Sequence, residues 1–481
     1  MKIFNVRFGF ATNSSSAHSI VVLNDSLISS GVDVGDGEFG WEYFILSNEE
    51  NKRQYFGQVV KYNMMCLYNL STNDAAIIAS DWAGTKVNPD GYIDHQSQII
   101  LPVEYEYHNE KHIIRKYAEQ FLEYLLQDNV VICGGNDNDD NRDQRLNCLP
   151  IKNIFNQYIS YGKTGDVVGR YDESGKFWTL FNKSNGTKIR MSFYQDSVAD
   201  NSDKPELVDV KITSYCDKGC SFCYQSSTKT GAAADVNFIS NVADKLNKLG
   251  VFEVALGGGE PTTHPDFLRI LQIFVGKNII TNFSTRNPSW LVKNMDSINN
   301  LVGAIGISVQ SSKEIKSILQ MFDRAKIIIN KNYSFCIKPK ITFQVVVGCC
   351  SDVELKNILK ESGKHSIPVL LLGWKIVGFG STGPMYDFKL SDVLDQFKEK
   401  KSYGIYWNGP SISFDSALVE KEKEWLSNSS NKEYWTLGEG THSMYIDCVE
   451  KKMGKSSFGT EFTALNKELD NIELFFQRGR K

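Results

Sequence analysis

From Leu207 onward, short apolar runs alternate with longer stretches whose apolar residues recur every third or fourth position. The runs at 207–213, 251–256, 279–284, 303–310, 340–347 and 367–373 predict six buried strands. Between the first two, Phe238, Ile239, Val242, Leu246 and Leu249 share one face of a helix predicted over 235–249. A second helix is predicted over 266–275, opened by an acidic residue in its first turn. Strands separated by helices pair in parallel, because a parallel connection needs a crossover. Six such units predict an α/β fold: a partial (β/α)6 barrel over 205–385.

The first part of the chain has a different rhythm. Strand-like stretches at 19–23, 55–62 and 91–101 alternate with turn signals, a helix is predicted over 111–126, and 171–194 reads as a hairpin turning at Asn185-Gly186. These elements predict an N-terminal α+β accessory domain over 1–204. GGNDNDDNRDQR (134–145) carries four aspartates, but their spacing does not match an EF-hand loop, and a solvated acidic loop is expected. RFGFATNSSSAHS (7–19) reads as a serine-rich turn whose hydroxyls bond neighbouring amides, with Asn13, Ser14 and His18 open to a role in processing. After residue 385 a helix is predicted near 390–401 within a C-terminal extension, 386–481.

Composition narrows the classes. A chain of 481 residues with 41% hydrophobic content can bury a large core. A formal charge of −4 gives no electrostatic case for nucleic acid. No run of eighteen apolar residues predicts a membrane span, and no secretory pattern is present, so a cytoplasmic chain with reduced thiols is expected.

Chemistry enters with Cys216, Cys220 and Cys223, in CDKGCSFC just past the first predicted strand. Ten cysteines in this length produce one fixed triple spacing by chance about 0.004 times. Three thiolates so spaced can wrap one face of a four-iron cluster and leave its fourth iron without a protein ligand. The alternative is structural zinc, which wants four protein ligands. No second CxxC exists, and the next histidine is His264. The second predicted strand then runs into GGGEPTTHPDF (257–267), where glycines let backbone carbonyls approach a cationic amine and Glu260 adds negative charge.

In this order and about forty residues apart, the cysteine triple and Gly258-Gly259-Glu260-Pro261 resemble the radical SAM (S-adenosylmethionine) family, over roughly 205–385. The resemblance implies that Cys216, Cys220 and Cys223 hold a [4Fe–4S] cluster whose open iron is chelated by S-adenosylmethionine. It implies that Phe222 meets the adenine and that Gly258, Gly259, Glu260 and Pro261 meet the methionyl amine. The segment GWKIVGFGSTG (373–383) resembles the family's sixth-strand segment, with Gly378, Gly380 and Gly383 near the nucleoside. Because active sites of parallel barrels gather at the C-terminal strand ends, Thr281, Asn282, Ser308, Gln310 and Gln344 are further cofactor-binding candidates. The implied activity is reductive cleavage of S-adenosylmethionine to a 5′-deoxyadenosyl radical that takes hydrogen from a substrate. An electron donor such as a flavodoxin or ferredoxin is implied as partner. A peptide or protein substrate is favoured by the large accessory domain. The alternatives are a nucleotide or small metabolite, or a non-catalytic cluster-binding scaffold. Cys448 is the one cysteine beyond Cys350, too few for an ordinary second cluster. Cys349 and Cys350 read as turn or core residues, and Cys66, Cys133, Cys148 and Cys336 as small core residues.

Overall fold

The computed structural model describes residues 2–7, 21–24, 39, 44–93, 98–105, 110–127, 130–134, 165–194, 196–327, 340–401, 404–407, 409–427 and 440–478. The chain forms two compact units, one up to Ala199 and one from Asp200 onward. The serine-rich segment from residue 8 and the acidic loop from residue 135 lie outside the described residues. No helix among the described residues is long and apolar enough to cross a membrane.

In the first unit, strands β1 (Lys2–Arg7), β4 (Val103–Tyr105), β5 (Lys111–Ile113), β7 (Val167–Asp172), β8 (Phe177–Asn182) and β9 (Lys188–Ser192) form one sheet in the order β1-β9-β8-β7-β4-β5. A smaller sheet joins β2 (Val21–Asn24), β6 (Val130–Gly134) and β3 (Phe44–Leu46). The hairpin at Asn185-Gly186 forms as predicted: Gly186 takes φ +76°, and Asn182 N donates to Thr187 O at 2.8 Å.

Other expectations here are corrected. The stretch 55–62 lies inside helix α1 (Glu49–Tyr68). Its buried Lys52, Tyr55, Phe56, Val59, Val60, Asn63 and Met64 follow the helical period, and the Asn48 side chain caps the start by accepting from Asn51 N. No strand forms among the described residues of 91–101. Its backbone bonds instead to a helix side chain: Asn63 donates to Ile99 O at 2.7 Å and accepts from Leu101 N at 3.0 Å. The predicted helix over 111–126 gives its first residues to β5 and starts at Arg115, as α2 (Arg115–Leu125). Cys66 is exposed rather than in the core.

The second unit carries the predicted βα alternation. Its six successive strands are β10 (Leu207–Thr213), β11 (Glu253–Gly258), β12 (Ile280–Thr285), β13 (Ala304–Ser308), β14 (Lys340–Val346) and β15 (Val369–Leu372). All are parallel and in sequence order, the partial barrel expected. Helices Val236–Lys248, Phe267–Gly276, Pro288–Ile298, Ser312–Arg324 and Asp352–Lys364 fill the crossovers. One face of each strand, including Val208, Val210, Val254, Leu256, Phe283, Ile305, Phe343 and Leu371, packs into the main apolar core. The other face alternates with it (Asp209, Lys211; Ala255, Gly257; Ser284; Ser308; Gln344) and borders a cavity of about 390 Å³. Barrels usually fill this space with bulky layers. Ala255, Gly257 and Ser308 are too small to do so.

The region 386–481 extends the same sheet at both edges. Strand β18 (Ile412–Phe414) pairs parallel with β15, and β19 (Ser443–Asp447) pairs parallel with β10. Strands β20 (Lys452–Gly454) and β21 (Thr463–Ala464) continue antiparallel beyond β19. The helix expected near 390–401 is short, Leu390–Leu394, and yields to strand β16 (Lys398–Lys401), which pairs with β17 (Gly404–Trp407). Buried polar contacts fix the β10–β19 junction. Ser202 Oγ lies 2.6 Å from His442 Nδ1 and donates to Glu206 Oε1 at 3.0 Å, while Glu206 N donates to His442 O at 2.8 Å.

Candidate functional site

The cysteines leave the end of β10 on a loop that folds back on itself. Cys216 N donates to Thr228 O at 2.9 Å, Cys223 N to Cys220 O at 3.2 Å, and Gly219 turns the chain with φ +63°. All three thiols are half-buried and border the cavity. Burial pushes the Cys216 thiol up, with the Glu260 carboxylate and the other two cysteines adding, against a lowering hydrogen bond from the Lys218 backbone. A bound cation reverses that balance, since a coordinating thiol is deprotonated.

The glycine-rich segment meets this loop through the backbone. Gly259 N donates to Thr213 O at 2.7 Å and Glu260 N to Tyr215 O at 2.8 Å, so the two sequence motifs are joined directly at the strand ends. Gly258 sits at φ +118°, and a Cβ on Gly259 would collide with the Tyr215 carbonyl. Only glycine allows this approach.

Glu260, 2% exposed, has a structural task that sequence reasoning did not assign. Its Oε1 accepts from Thr262 N (3.3 Å), Thr262 Oγ1 (2.6 Å) and Thr285 Oγ1 (2.6 Å), and its Oε2 accepts from Arg286 N (2.8 Å). The carboxylate therefore pins the segment after β11 to the end of β12. Pro261 opens the 3-10 turn Pro261–Thr263, is buried, and does not border the cavity.

Phe222, Ser308, Gln310 and Gln344 border the cavity with the cysteines, Gly258, Gly259 and Glu260. Phe222 packs on Trp374, ring centroids 5.9 Å apart. Besides Pro261, the candidates Thr281, Asn282 and Gly378 do not reach the cavity. Asn282 is not at a strand end, because β12 continues to Thr285. Its amide instead donates to Glu253 Oε2 at 3.1 Å and accepts from Ala304 N at 3.0 Å, and Thr281 is buried. Gly378, at φ +58°, lies against the cysteine loop, where a Cβ would meet the Tyr224 carbonyl. Phe379 N donates to Cys223 O at 3.0 Å, and a Cβ on Gly383 would meet the Ser221 carbonyl. The glycines of this segment let it lie along the cysteine loop.

Several cavity side chains escaped the sequence reading. Arg286 Nη1 donates to Cys220 Sγ at 3.0 Å, and its Nη2 bonds Glu314 at 3.2 Å. Lys211, 6% exposed, pairs with Asp447, 1% exposed, at 3.1 Å across the β10–β19 junction. Lys375 pairs with Asp415 at 3.5 Å and lies over the rings of Tyr224 and Phe458. The strict alternation along β10 and the position of Arg286 just past β12 were the available signals. Asp415 and Asp447 had none, since β18, which Asp415 follows, and β19 join the sheet from a region with no predicted strand.

Among the described residues, no three His, Cys, Asp or Glu side chains converge as one metal ion would require. A cubane binds each thiolate to its own iron and does not need that convergence. Three thiols on one cavity wall fit such a cluster.

Residues 210–346 match the Radical SAM superfamily model, and this stretch of the chain is a radical SAM domain. Mycofactocin maturase MftC of Mycobacterium ulcerans (strain Agy99) is 31% identical over 84 residues, 17% of this chain and 23% of that protein. The same enzyme of Mycobacterium tuberculosis (strain CDC 1551 / Oshkosh) is 31% identical over 17% of this chain and 22% of its own length. The chain thus matches less than a quarter of these curated relatives. Among solved structures, Streptococcus suis SuiB bound to S-adenosylmethionine aligns with TM-score 0.46 at 14% identity, over 65% of this chain and 87% of that one. The anSMEcpe structure with bound AdoMet aligns with TM-score 0.36 at 12% identity, over 57% and 82%.

Proposed function

We propose that the chain is a radical SAM enzyme that modifies a peptide or protein. The observation that carries this reading is the junction at the strand ends. Three half-buried thiols and the glycine-rich segment are stitched together by backbone hydrogen bonds at the mouth of one cavity. In this reading Cys216, Cys220 and Cys223 hold a [4Fe–4S] cluster, which when bound supplies one electron for cleaving S-adenosylmethionine to methionine and a hydrogen-abstracting 5′-deoxyadenosyl radical. Gly258 and Gly259 keep the backbone open to the methionyl group, Glu260 fixes that backbone in place, and Phe222, Ser308 and Gln344 border the nucleoside.

The substrate class draws support from the relatives, which are named maturases. A flavodoxin or ferredoxin as electron donor and a cytoplasmic location belong to the same reading. Anaerobic reconstitution tests it. The wild-type chain should bind about four irons per protein and form 5′-deoxyadenosine from S-adenosylmethionine under reduction, and Cys220→Ala should form none. Deoxyadenosine from the reconstituted variant, or zinc in place of iron in the wild type, overturns the assignment.

A further inference from the structure

Beyond the cysteines, the cavity wall carries several ionisable side chains, and most are already matched. Lys211 is held by Asp447 at 3.1 Å. Lys375 is held by Asp415 at 3.5 Å, and Asp415 Oδ1 also accepts from Gly373 N and Leu418 N. Arg286 is held by Glu314, and Lys218 by Asp217 at 3.1 Å. Glu260 accepts four hydrogen bonds.

Asp209 differs. It lies one turn of the strand pleat before Lys211, on the same face of β10, and borders the cavity. No described residue donates a hydrogen bond to its carboxylate. The small neighbour Ala255, opposite it on β11, leaves space above the carboxylate, and Tyr445 is its register partner on β19. A carboxylate facing a cavity without a donor is costly to desolvate, and that cost disappears when a cation docks. Lys375 is near enough to act on Asp209, but its charge is shared with Asp415 and with the faces of Tyr224 and Phe458.

We propose that Asp209 anchors a positively charged group of the substrate, a primary ammonium or a guanidinium, inside the barrel cavity. The inference rests on the radical SAM reading and names the substrate chemistry of that same site. Among peptides it selects those that present a lysine or arginine side chain or a free amino terminus. A charge-assisted hydrogen bond from ammonium to carboxylate carries the preference, and a neutral chain of equal length cannot make it.

The test uses the full-length chain, reconstituted under anaerobic conditions with S-adenosylmethionine present. Two probes are compared by equilibrium titration: N-acetyl-lysine N-methylamide and its neutral counterpart N-acetyl-norleucine N-methylamide. The lysine probe should bind at least tenfold more tightly, the lower end expected for a hydrogen bond to a charged group. Asp209→Asn should erase the difference, and Asp209→Glu, which keeps the charge, should retain part of it. Equal binding of the two probes by the wild type overturns the proposal even if no variant folds, and so does an undiminished preference in Asp209→Asn. Failure of the parent reading has its own signature, namely no deoxyadenosine formed by the wild type under any condition. A wild type that makes deoxyadenosine yet holds both probes equally sinks only the assignment of Asp209.

Discussion

Replacing Glu260 with alanine tests whether the glycine-rich segment is held in place by one carboxylate. Four donors converge on it: two hydroxyls, of Thr262 and Thr285, and two backbone amides, of Thr262 and Arg286. In Glu260→Ala the hydroxyls can rotate to other acceptors, but the two N–H groups cannot turn. Each buried donor left without an acceptor costs about 1–3 kcal/mol, so the junction should lose about 2–6 kcal/mol. Against a typical total of about 5–15 kcal/mol for a folded domain, that opens the site locally before it unfolds the unit. Amide hydrogen exchange read by mass spectrometry on the full chain measures this directly. Peptides spanning 258–263 and 283–287 should exchange at least about thirtyfold faster, the equivalent of 2 kcal/mol. Strand β15, which has no bond to Glu260, should be unchanged. Glu260→Gln keeps one accepting oxygen and should fall between wild type and alanine. S-adenosylmethionine affinity should drop in the same order if the segment binds it. The reasoning is wrong if both peptides in Glu260→Ala exchange within threefold of wild type.

Three other outcomes follow from the same structure. Asp447→Asn leaves the buried Lys211 ammonium uncompensated and should destabilise the β10–β19 junction by about 3–5 kcal/mol. Adding Lys211→Met should recover part of that loss, and guanidinium unfolding that shows no recovery refutes a paired-charge role. Gly378→Ala forces a side chain into the left-handed region and towards the Tyr224 carbonyl, costing about 1–2 kcal/mol before the collision is counted. Exchange across 221–226 should quicken, and an unchanged rate would show that the segment does not support the cysteine loop. Burial, with added repulsion from Glu253 and Asp415, pushes the Asp209 carboxyl up to about 6 despite the attraction of Lys375. A carboxyl raised in the folded state binds more protons there than when unfolded, so its contribution to stability falls as pH rises from about 4 to about 6. Denaturant midpoints for Asp209→Asn should lose that decline, and a curve parallel to wild type over this window counts against the shift.

The barrel was legible because its strands are buried on one face and bounded by amphipathic helices, so burial and period agree. Prediction and structure share Leu207–Thr213 to the residue, and helix Val236–Lys248 starts beside its capping Asp235. The first unit misled where composition and period disagreed. Tyr55, Phe56, Val59 and Val60 are strand-prone residue types, but they are spaced for a helix, and tertiary burial followed the spacing. The stretch 91–101 was apolar enough for a strand, yet Asn63, 36 residues from Ile99 in sequence, takes up its backbone groups. No local pattern reports a partner that distant.

The same distinction explains why the two motifs of the site could be read and the rest of the cavity lining could not. The cysteine triple and the glycine-rich segment are each confined to one short stretch of sequence and leave adjacent strands, so spacing alone carries them. The rest of the lining is assembled from β10, the segment after β15, the residues after β18, β19, and the loop after β20. These pieces span Asp209 to Phe458 in sequence and meet only because β18 and β19 add to opposite edges of one sheet. Each contributes one or two polar residues to a stretch that looks ordinary on its own. A sequence differing only at Asp209, Lys375, Asp415 and Tyr445 would keep both motifs. On the proposed function, exchanging these four, with the cysteines and Glu260 untouched, should therefore change which charged or neutral probe the cavity holds while leaving the iron content of the reconstituted chain unchanged.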